Sequence, residues 1–151
     1  MYAKILVPVD GSETATRGLQ EAIELAKVHR SRIRLVHIVN EFILDATYSA
    51  DSYASSLIES LRSGGRQVLE RAETLARQQG IEVDGVLLES IGGVAADLIV
   101  AQAREWGADL IVMGTHGRRG LRRLALGSDA EGVLRHATVP LLLVRAAGNS
   151  G

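Results

Sequence analysis

Two periods of apolar and polar positions alternate along the chain. Short apolar runs typical of strands occupy Lys4 to Asp10, Arg32 to Val39, Ile81 to Glu89, Leu110 to Met113 and Pro140 to Arg145. Between these runs apolar residues recur every three or four positions, which indicates helices. Five strands separated by helices predict an α/β fold with a doubly wound parallel sheet.

Several positions carry more specific expectations. Pro8 cannot donate to a neighbouring strand, so we expect the first regular strand to end near Val7. Leu61 and Leu134 fall on inward-facing stripes of the second and fourth predicted helices. Trp106, at the end of the third predicted helix, is interpreted as a packing residue.

The second helix and the segment before it are the least regular part of the pattern. Asn40 to Ser56 lose all periodicity and contain two tyrosines, so this segment is a candidate lid whose tyrosines cover a base, or it is partly disordered. Gly64 and Gly65 then lie on the apolar stripe of the helix. They either permit close packing or a bend, or end one helix and start another. His37, in the second strand, is interpreted as a structural histidine with satisfied hydrogen bonds.

Composition excludes several classes of protein. A chain of 151 residues with 46% apolar and 3% aromatic residues predicts one domain, residues 1–146, with an aliphatic core and a flexible tail, residues 147–151. The absence of cysteine excludes disulfides, a thiolate nucleophile and cysteine metal sites. A net charge of −1 argues against nucleic acid as a partner. The apolar run at the start is too short for a signal peptide and no later run could span a membrane, so we expect a cytoplasmic protein.

A glycine-rich stretch follows the fourth predicted strand. Gly114, Gly117 and Gly120 come at intervals of three, and Gly127-Ser128 then opens a helix. This arrangement binds phosphate in α/β proteins, because bare backbone N–H groups and a helix N-terminus face the anion. The stretch lacks the lysine of a P-loop and the G-x-G spacing of a dinucleotide fingerprint. The sequence therefore predicts an anionic ligand, bound by a motif other than these two.

The motif Gly114-x-x-Gly117, nine residues, then Gly127-Ser128 closely resembles the ATP-binding branch of the universal stress protein family, which is UspA-like. The resemblance covers nearly the whole chain. It implies a Rossmann-like sheet, similar to the adenine nucleotide alpha hydrolases, with the strand order 3-2-1-4-5. In that order Asp10 and Gly114 face each other across the crevice where α/β proteins bind ligands. It also implies an ATP-dependent sensor or switch in the stress response, with at most slow hydrolysis.

The resemblance also assigns residues to parts of the nucleotide. Adenine would lie among apolar groups at the strand ends, which are Pro8, Val9, Val39 and Met113. The ribose would lie near Asp10 and Gly114. The phosphates would contact the Ser128 hydroxyl and the backbone N–H groups of Gly117, Arg118, Gly127, Ser128, Asp129 and Ala130. His116 would either lie beside a phosphate or simply be exposed. The basic run of Arg118, Arg119, Arg122 and Arg123 either raises phosphate affinity or forms a solvated face.

Some of these residues also have purely structural interpretations. Asp10 or Ser12 can cap the first helix, with Glu13 completing a capping box with Asp10. Ser128 and Glu131 have the spacing of a second capping box. Asp10 and Ser128 are therefore candidates for helix capping as well as for ligand binding.

Asp129 departs from the family pattern, in which an apolar residue usually follows the G-[ST] pair. A carboxylate in the first turn of a helix is favoured by the dipole but repels a triphosphate at the same terminus. Either a divalent cation such as Mg²⁺ or Mn²⁺ bridges the two, or Asp129 points away, or nucleotide binds weakly. One alternative function is therefore a scaffold or regulatory dimer of the same fold that does not retain nucleotide. Another is a small enzyme of adenylate chemistry, which would need a second pocket.

The fifth predicted strand indicates a protein partner. In the order 3-2-1-4-5 it lies at a sheet edge, and Leu141 to Val144 form an apolar run without a charge to block further pairing. We expect a homodimer through Pro140 to Arg145, which is also the usual assembly of the family that the chain resembles.

Overall fold

Strands and helices alternate along the chain as the hydrophobic pattern predicts. The structure, a computed structural model, describes residues 1–40, 51–90, 92–115 and 126–145. None of the helices in these ranges has the length and apolar composition that a membrane span requires. The elements are β1 (Lys4–Pro8), α1 (Glu13–His29), β2 (Arg32–Asn40), α2 (Asp51–Gln78), β3 (Glu82–Ser90), α3 (Ala95–Trp106), β4 (Leu110–Gly114), α4 (Ser128–His136) and β5 (Leu141–Val144).

The five strands form one parallel sheet in the order β3-β2-β1-β4-β5, which confirms the predicted fold. Two buried clusters lie on its opposite faces, because successive residues of a strand point to opposite sides. One cluster joins Ile5 and Val7 to α1 and α2, and the other joins Leu6 and Ile111 to α3 and α4. Burial on both faces explains why β1 and β4 are almost continuously apolar.

The first helix begins close to the end of β1. β1 extends one residue beyond the predicted end, to Pro8. Ser12 caps α1, since its Oγ accepts a hydrogen bond from the backbone N–H of Ala15 at 3.2 Å. Asp10 Oδ1 accepts from the backbone N–H of Ser12 at 2.9 Å. The predicted capping box of Asp10 and Glu13 is therefore wrong, because the cap lies two residues later.

The second helix begins earlier than the apolar spacing predicts. α2 runs without interruption for 28 residues from Asp51 to Gln78, so residues 51–56 are helical rather than irregular. The predicted lid otherwise falls on residues 41–50, outside the described residues. Gly64 and Gly65 do not end the helix, and only Gly65 is buried. Leu61 is 43% exposed, because the core contacts of α2 involve the later residues Val68 to Ala76.

Trp106 packs against the core at the end of α3, as the sequence predicts. Its ring lies 4.8 Å from Arg34 Cζ and 5.5 Å from Lys4 Nζ, which are cation–π distances. Arg34 also donates to Asp84 on β3, with Nε 2.9 Å from Oδ1. That ion pair raises the pKa of Arg34 and lowers the pKa of Asp84. These contacts tie β2, β3 and α3 together.

The first helix crosses β4 at very short range. A Cβ on Gly114 would lie 2.9 Å from both the carbonyl carbon and the carbonyl oxygen of Thr14 in α1. A Cβ on Gly18 would lie 3.3 Å from the backbone nitrogen of Gly114. These neighbours are backbone atoms, which cannot move aside as the end of a flexible side chain can. The packing of α1 on β4 therefore requires glycine at position 114, whether or not a ligand binds.

We predict that Gly114→Ala destabilises the protein by about 1–3 kcal/mol, because the added methyl group collides with the backbone of α1. A loss of that size should lower the melting temperature by roughly 2–4 °C per kcal/mol, which scanning calorimetry can measure. Gly64→Ala is the matched control, since a Cβ there has no neighbour within 4 Å. The control should retain or slightly raise the melting temperature. Equal melting temperatures for the two variants would contradict this account.

Candidate functional site

A cavity of about 600 Å³ opens where β1 and β4 lie side by side at their carboxyl ends. The chain leaves β1 towards β2 and leaves β4 towards β5, so the strand order reverses at this point. Ligands of open α/β sheets bind in such a crevice. The cavity is lined by Pro8, Val9, Asp10, Ala15, Val36, Ile38, Asn40, Gly93, Val94, Ala95, Ile99, Met113, Gly114, Thr115, Gly127, Ser128, Asp129 and Ala130.

The structure brings together most of the residues that the resemblance assigns to the site. Two segments far apart in sequence meet at the cavity, and their predicted members are Pro8, Val9, Asp10, Met113, Gly114, Gly127, Ser128, Asp129 and Ala130. Val39 does not line the cavity and is buried, at 3% exposure. The predictions for His116, Gly117, Arg118 and the rest of the basic run fall on residues 116–125, outside the described residues.

The apolar wall of the cavity includes residues that sequence reasoning missed. Val36 and Ile38 line the cavity, whereas Val39 points to the other face because side chains alternate along β2. That alternation was the available signal, and it would have selected the even-numbered positions. Ile99 and Val94 add to the wall from α3 and its start. The only sequence signal for Ile99 and Val94 is the glycine pair Gly92-Gly93, which precedes a helix.

The end of β1 is held firmly against β2. The backbone N–H of Val9 donates to the carbonyl of Val36 at 2.8 Å. His37 Nδ1 lies 2.9 Å from the carbonyl oxygen of Val9, so His37 is a structural histidine with a hydrogen-bond partner, as predicted. Asp10 follows directly and bonds to the start of α1 through Ser12. Asp10 thus has a local structural role and also lines the cavity.

The end of β4 is connected to the start of α4. The backbone N–H of Thr115 donates to the carbonyl of Val144 at 3.0 Å, and the N–H of Gly127 donates to the carbonyl of Thr115 at 2.6 Å. The chain therefore leaves β4 and returns at Gly127 to almost the same place. This bond occupies the Gly127 N–H, which the resemblance had assigned to a phosphate.

Within the described part of the chain no side chain caps α4, so the predicted capping box of Ser128 and Glu131 is wrong. Gly127 is the N-cap residue and Ser128 is already the first helical residue, one position too late for its hydroxyl to act as a cap. Glu131 instead pairs with Arg135. The first turn of α4 therefore presents backbone N–H groups to the cavity without side-chain competition, which is favourable for an anion.

A second helix N-terminus faces the same cavity. α3 begins after Val94, which is 60% exposed and makes no capping bond through its side chain. α3 and α4 lie very close together, since a Cβ on Gly132 would be 2.5 Å from Ala96 Cβ. The expectation that Leu134 points inward is wrong, since it is 54% exposed and the buried residues of α4 are Ala130 and Val133. Two positive helix ends are directed at one cavity.

Thr115 was not predicted, although it lies inside the glycine motif. It is 5% exposed, lines the cavity, and its Oγ1 has no hydrogen-bond partner among the residues that the structure describes. A buried hydroxyl without a partner costs about 1–3 kcal/mol, so such groups are concentrated where function requires them. The sequence offered no signal, because a threonine after a strand is usually satisfied by the backbone.

Two carboxylates supply the negative charge among the described residues of the cavity. Partial burial of the Asp129 carboxyl is the main cause that raises its pKa, and the negative charge of Asp10 adds to the effect. No third aspartate, glutamate or histidine of the described part of the chain joins them in a group that could hold a metal ion. Asp129 therefore faces the cavity rather than pointing away from it.

Comparisons with known proteins match this architecture. Residues 1–145 fit the profile described as the Universal stress protein family. Universal stress protein MJ0531 of Methanocaldococcus jannaschii is 34% identical over 145 residues, which cover 96% of this chain and 83% of that protein. The structure of MJ0577 from the same organism has a TM-score of 0.85 at 27% identity and covers 99% of both chains.

A second solved structure contains a nucleotide. It is the universal stress protein from Archaeoglobus fulgidus in complex with dAMP, with a TM-score of 0.66, 28% identity, and coverage of 95% of this chain and 98% of that chain. The profile match over nearly the whole sequence agrees with the strand order and with the position of the cavity. This chain belongs to the universal stress protein family.

Proposed function

We propose that this protein binds an adenine nucleotide, with ATP as its physiological ligand, and acts as a nucleotide-dependent sensor or switch in the stress response. One observation carries the proposal. Asp10, Gly114 and the uncapped first turn of α4 converge on one cavity at the point where the strand order reverses. Its volume of about 600 Å³ lies within the range of typical small-molecule sites. The dAMP complex of the Archaeoglobus relative supports an adenine nucleotide as the ligand class.

The lining residues suggest how the nucleotide would lie. The base would contact the apolar wall formed by Val36, Ile38 and Met113, in addition to Val9. The ribose hydroxyls would donate to Asp10, since a carboxylate accepts hydrogen bonds. The phosphates would accept from the N–H groups at the start of α4 and from the Ser128 hydroxyl, which is not used as a cap.

Hydrolysis would be slow in this arrangement. Among the described residues of the cavity, only Asp10 and Asp129 could act as a general base. Both carry a negative charge that would oppose a triphosphate when they are ionised. We therefore propose a binding function rather than an efficient enzyme.

A second candidate is a regulatory protein of the same fold that does not retain nucleotide. The raised pKa of Asp129 favours this alternative, because it shows that the cavity already disfavours a second negative charge. A polyphosphate would meet the same opposition. The two candidate functions therefore predict different effects on nucleotide binding when the charge of Asp129 is removed.

We predict that Asp129→Asn tightens ATP binding at neutral pH by about fivefold, which corresponds to the roughly 1 kcal/mol between exposed unit charges at 4 Å. Isothermal titration calorimetry at fixed ionic strength measures the change. Glu131→Gln is the matched control, because it removes a carboxylate from the same helical turn that pairs with Arg135 and does not line the cavity. Its affinity should stay within about twofold of the native value, since screened surface pairs contribute little.

Titration in the acid direction tests the same charge. The pKa of Asp129 is raised, and a bound phosphate would raise it further, so binding takes up a proton and tightens as the pH falls. Asp129→Asn should retain only the pH dependence of the nucleotide itself. Binding by the variant but not by the native protein would support the second candidate. Failure of both to bind millimolar ATP would contradict the proposed function.

We also propose that the protein forms a homodimer through β5. This strand lies at the edge of the sheet and spans Leu141–Val144, slightly shorter than the predicted Pro140 to Arg145. Leu142 is 37% exposed, and the strand carries no charge. An uncharged apolar edge offers unpaired backbone groups to a second copy.

We predict that Leu142→Lys shifts the protein from dimer to monomer, because lysine on an edge strand opposes pairing. Sedimentation equilibrium measures the mass. Val28→Lys is the matched control, since Val28 is 77% exposed on α1 and belongs to neither β5 nor the cavity. A monomeric native protein, or a Leu142→Lys variant that stays dimeric, would refute this assembly.

A further inference from the structure

His37 makes a hydrogen bond that has no part in the nucleotide contacts proposed above. Its Nδ1 lies 2.9 Å from the carbonyl oxygen of Val9. A carbonyl oxygen can only accept, so Nδ1 carries the proton and donates. The last residue pair in register between β1 and β2 is Pro8 with Val36. The side chain of His37 therefore supplies a hydrogen bond to the carbonyl of Val9, one residue beyond the last pair in register.

The helix above the ring is shaped to accommodate it. A Cβ on Gly65 of α2 would lie 2.6 Å from His37 Cδ2 and 2.7 Å from Leu87 Cδ1. The methyl group of Leu87 can rotate away, but the imidazole ring is held by its bond to Val9. Any side chain at position 65 would therefore displace the ring. Gly64, its neighbour in the same helix, has nothing within 4 Å of the corresponding point.

The held carbonyl belongs to the peptide group that leads into the site. Val9 lines the cavity, and its N–H is also bonded to β2, at 2.8 Å from the carbonyl of Val36. Asp10 is joined to the far side of the same peptide group. The direction in which Asp10 leaves the strand thus depends on how the Val9 carbonyl is held.

We propose that His37 is a positioning residue for nucleotide binding: seated against Gly65, it fixes the Val9 peptide group and so directs Asp10 into the cavity. It touches no ligand itself and acts through Val9. This inference rests on the nucleotide binding proposed above and adds to it the element that holds the ribose-facing carboxylate.

Substitution of His37 tests the hydrogen bond directly. His37→Leu keeps an apolar side chain but removes the donor, and we expect ATP affinity to fall by about tenfold, the upper range for the loss of one hydrogen bond. His37→Asn places an amide nitrogen the same number of bonds from the backbone as Nδ1. It should restore the affinity to within about twofold of the native value. Calorimetric titration with ATP measures all three proteins.

The glycine pair provides a second test that leaves His37 in place. Gly65→Ala should weaken ATP binding in the same direction, because the added methyl group displaces the ring. Gly64→Ala, the same change one residue earlier, should leave the affinity unchanged. In the double variant His37→Leu/Gly65→Ala, affinity should be close to that of His37→Leu alone, since both changes act through one bond.

A purely structural role for His37 makes a different prediction. It requires affinity to follow stability across all variants. Ala76→Gly supplies the comparison, because Ala76 is buried in α2 far along the helix from Gly65, and glycine there lowers stability. A destabilised Ala76→Gly variant with native affinity, beside a weakened His37→Leu variant, supports positioning. Equal affinity losses at equal stability would overturn it.

Measurements on the ligand-free protein separate this inference from the proposed function. Loss of a donor to the Val9 carbonyl should shift the ¹³C resonance of that carbonyl and the ¹⁵N resonance of the Asp10 amide in His37→Leu, with native positions regained in His37→Asn. If these resonances stay in place, the inference is wrong. If they shift but the native protein binds no nucleotide, the hydrogen bond is real, and both the proposed function and the positioning role fail.

Discussion

The divergence of the chain at the carboxyl ends of β1 and β4 is the constraint on which the site depends. From these adjacent strands the chain proceeds to opposite edges of the sheet, and the cavity lies between their carboxyl ends. The space stays narrow because α1 lies directly on Gly114, with room for no side chain. The backbone of β4 and the start of α1 therefore form one side of the cavity at a fixed separation, and Asp10 enters it from β1.

The helix ends and carboxylates around this space carry a net negative charge when both carboxylates are ionised. Each helix N-terminus contributes about half a positive charge, and those of α3 and α4 both face the cavity. Asp10 and Asp129 carry the opposite charge, and burial, with a smaller contribution from the charge of Asp10, raises the pKa of Asp129. Because the two helix ends offset only about one unit of negative charge, the charge of Asp129 determines how strongly a polyanion is opposed. This is why the departure at Asp129 from the family pattern matters more than any other residue of the described site.

The sequence predicted the features that depend on periodicity and on the glycine motif. Apolar runs located the strands, and the resemblance supplied the strand order and most of the cavity residues. Prediction from the sequence failed where tertiary contacts decide the local structure. Both glycines of α2 have the same local sequence signal, yet only Gly65 meets β2 and β3. The spacing of residues predicted capping boxes that the chain does not form. At α4, the hydrogen bond between Gly127 and Thr115 makes Gly127 the N-cap residue.

The site residues that the sequence did not predict have a common physical explanation. Val36 and Ile38 line the cavity, rather than Val39, because strand alternation selects one face, and which face holds the ligand depends on the helices above it. Thr115 has an unpaired hydroxyl only in the folded chain. Alternation along β2 separates Val36 and Ile38 from Val39, but the choice of face and the partners of Thr115 come from long-range packing.

The most direct test of the central claim is a ¹H–¹⁵N correlation spectrum of the native protein during titration with ATP. The account predicts saturable shifts at Val9, Asp10, Gly114, Ser128 and Ala130, which belong to both sides of the cavity. The smaller cavity near Arg30 and Ile81 should stay unperturbed. Saturable shifts confined to that second cavity, or no saturable shifts at the first, would contradict the account.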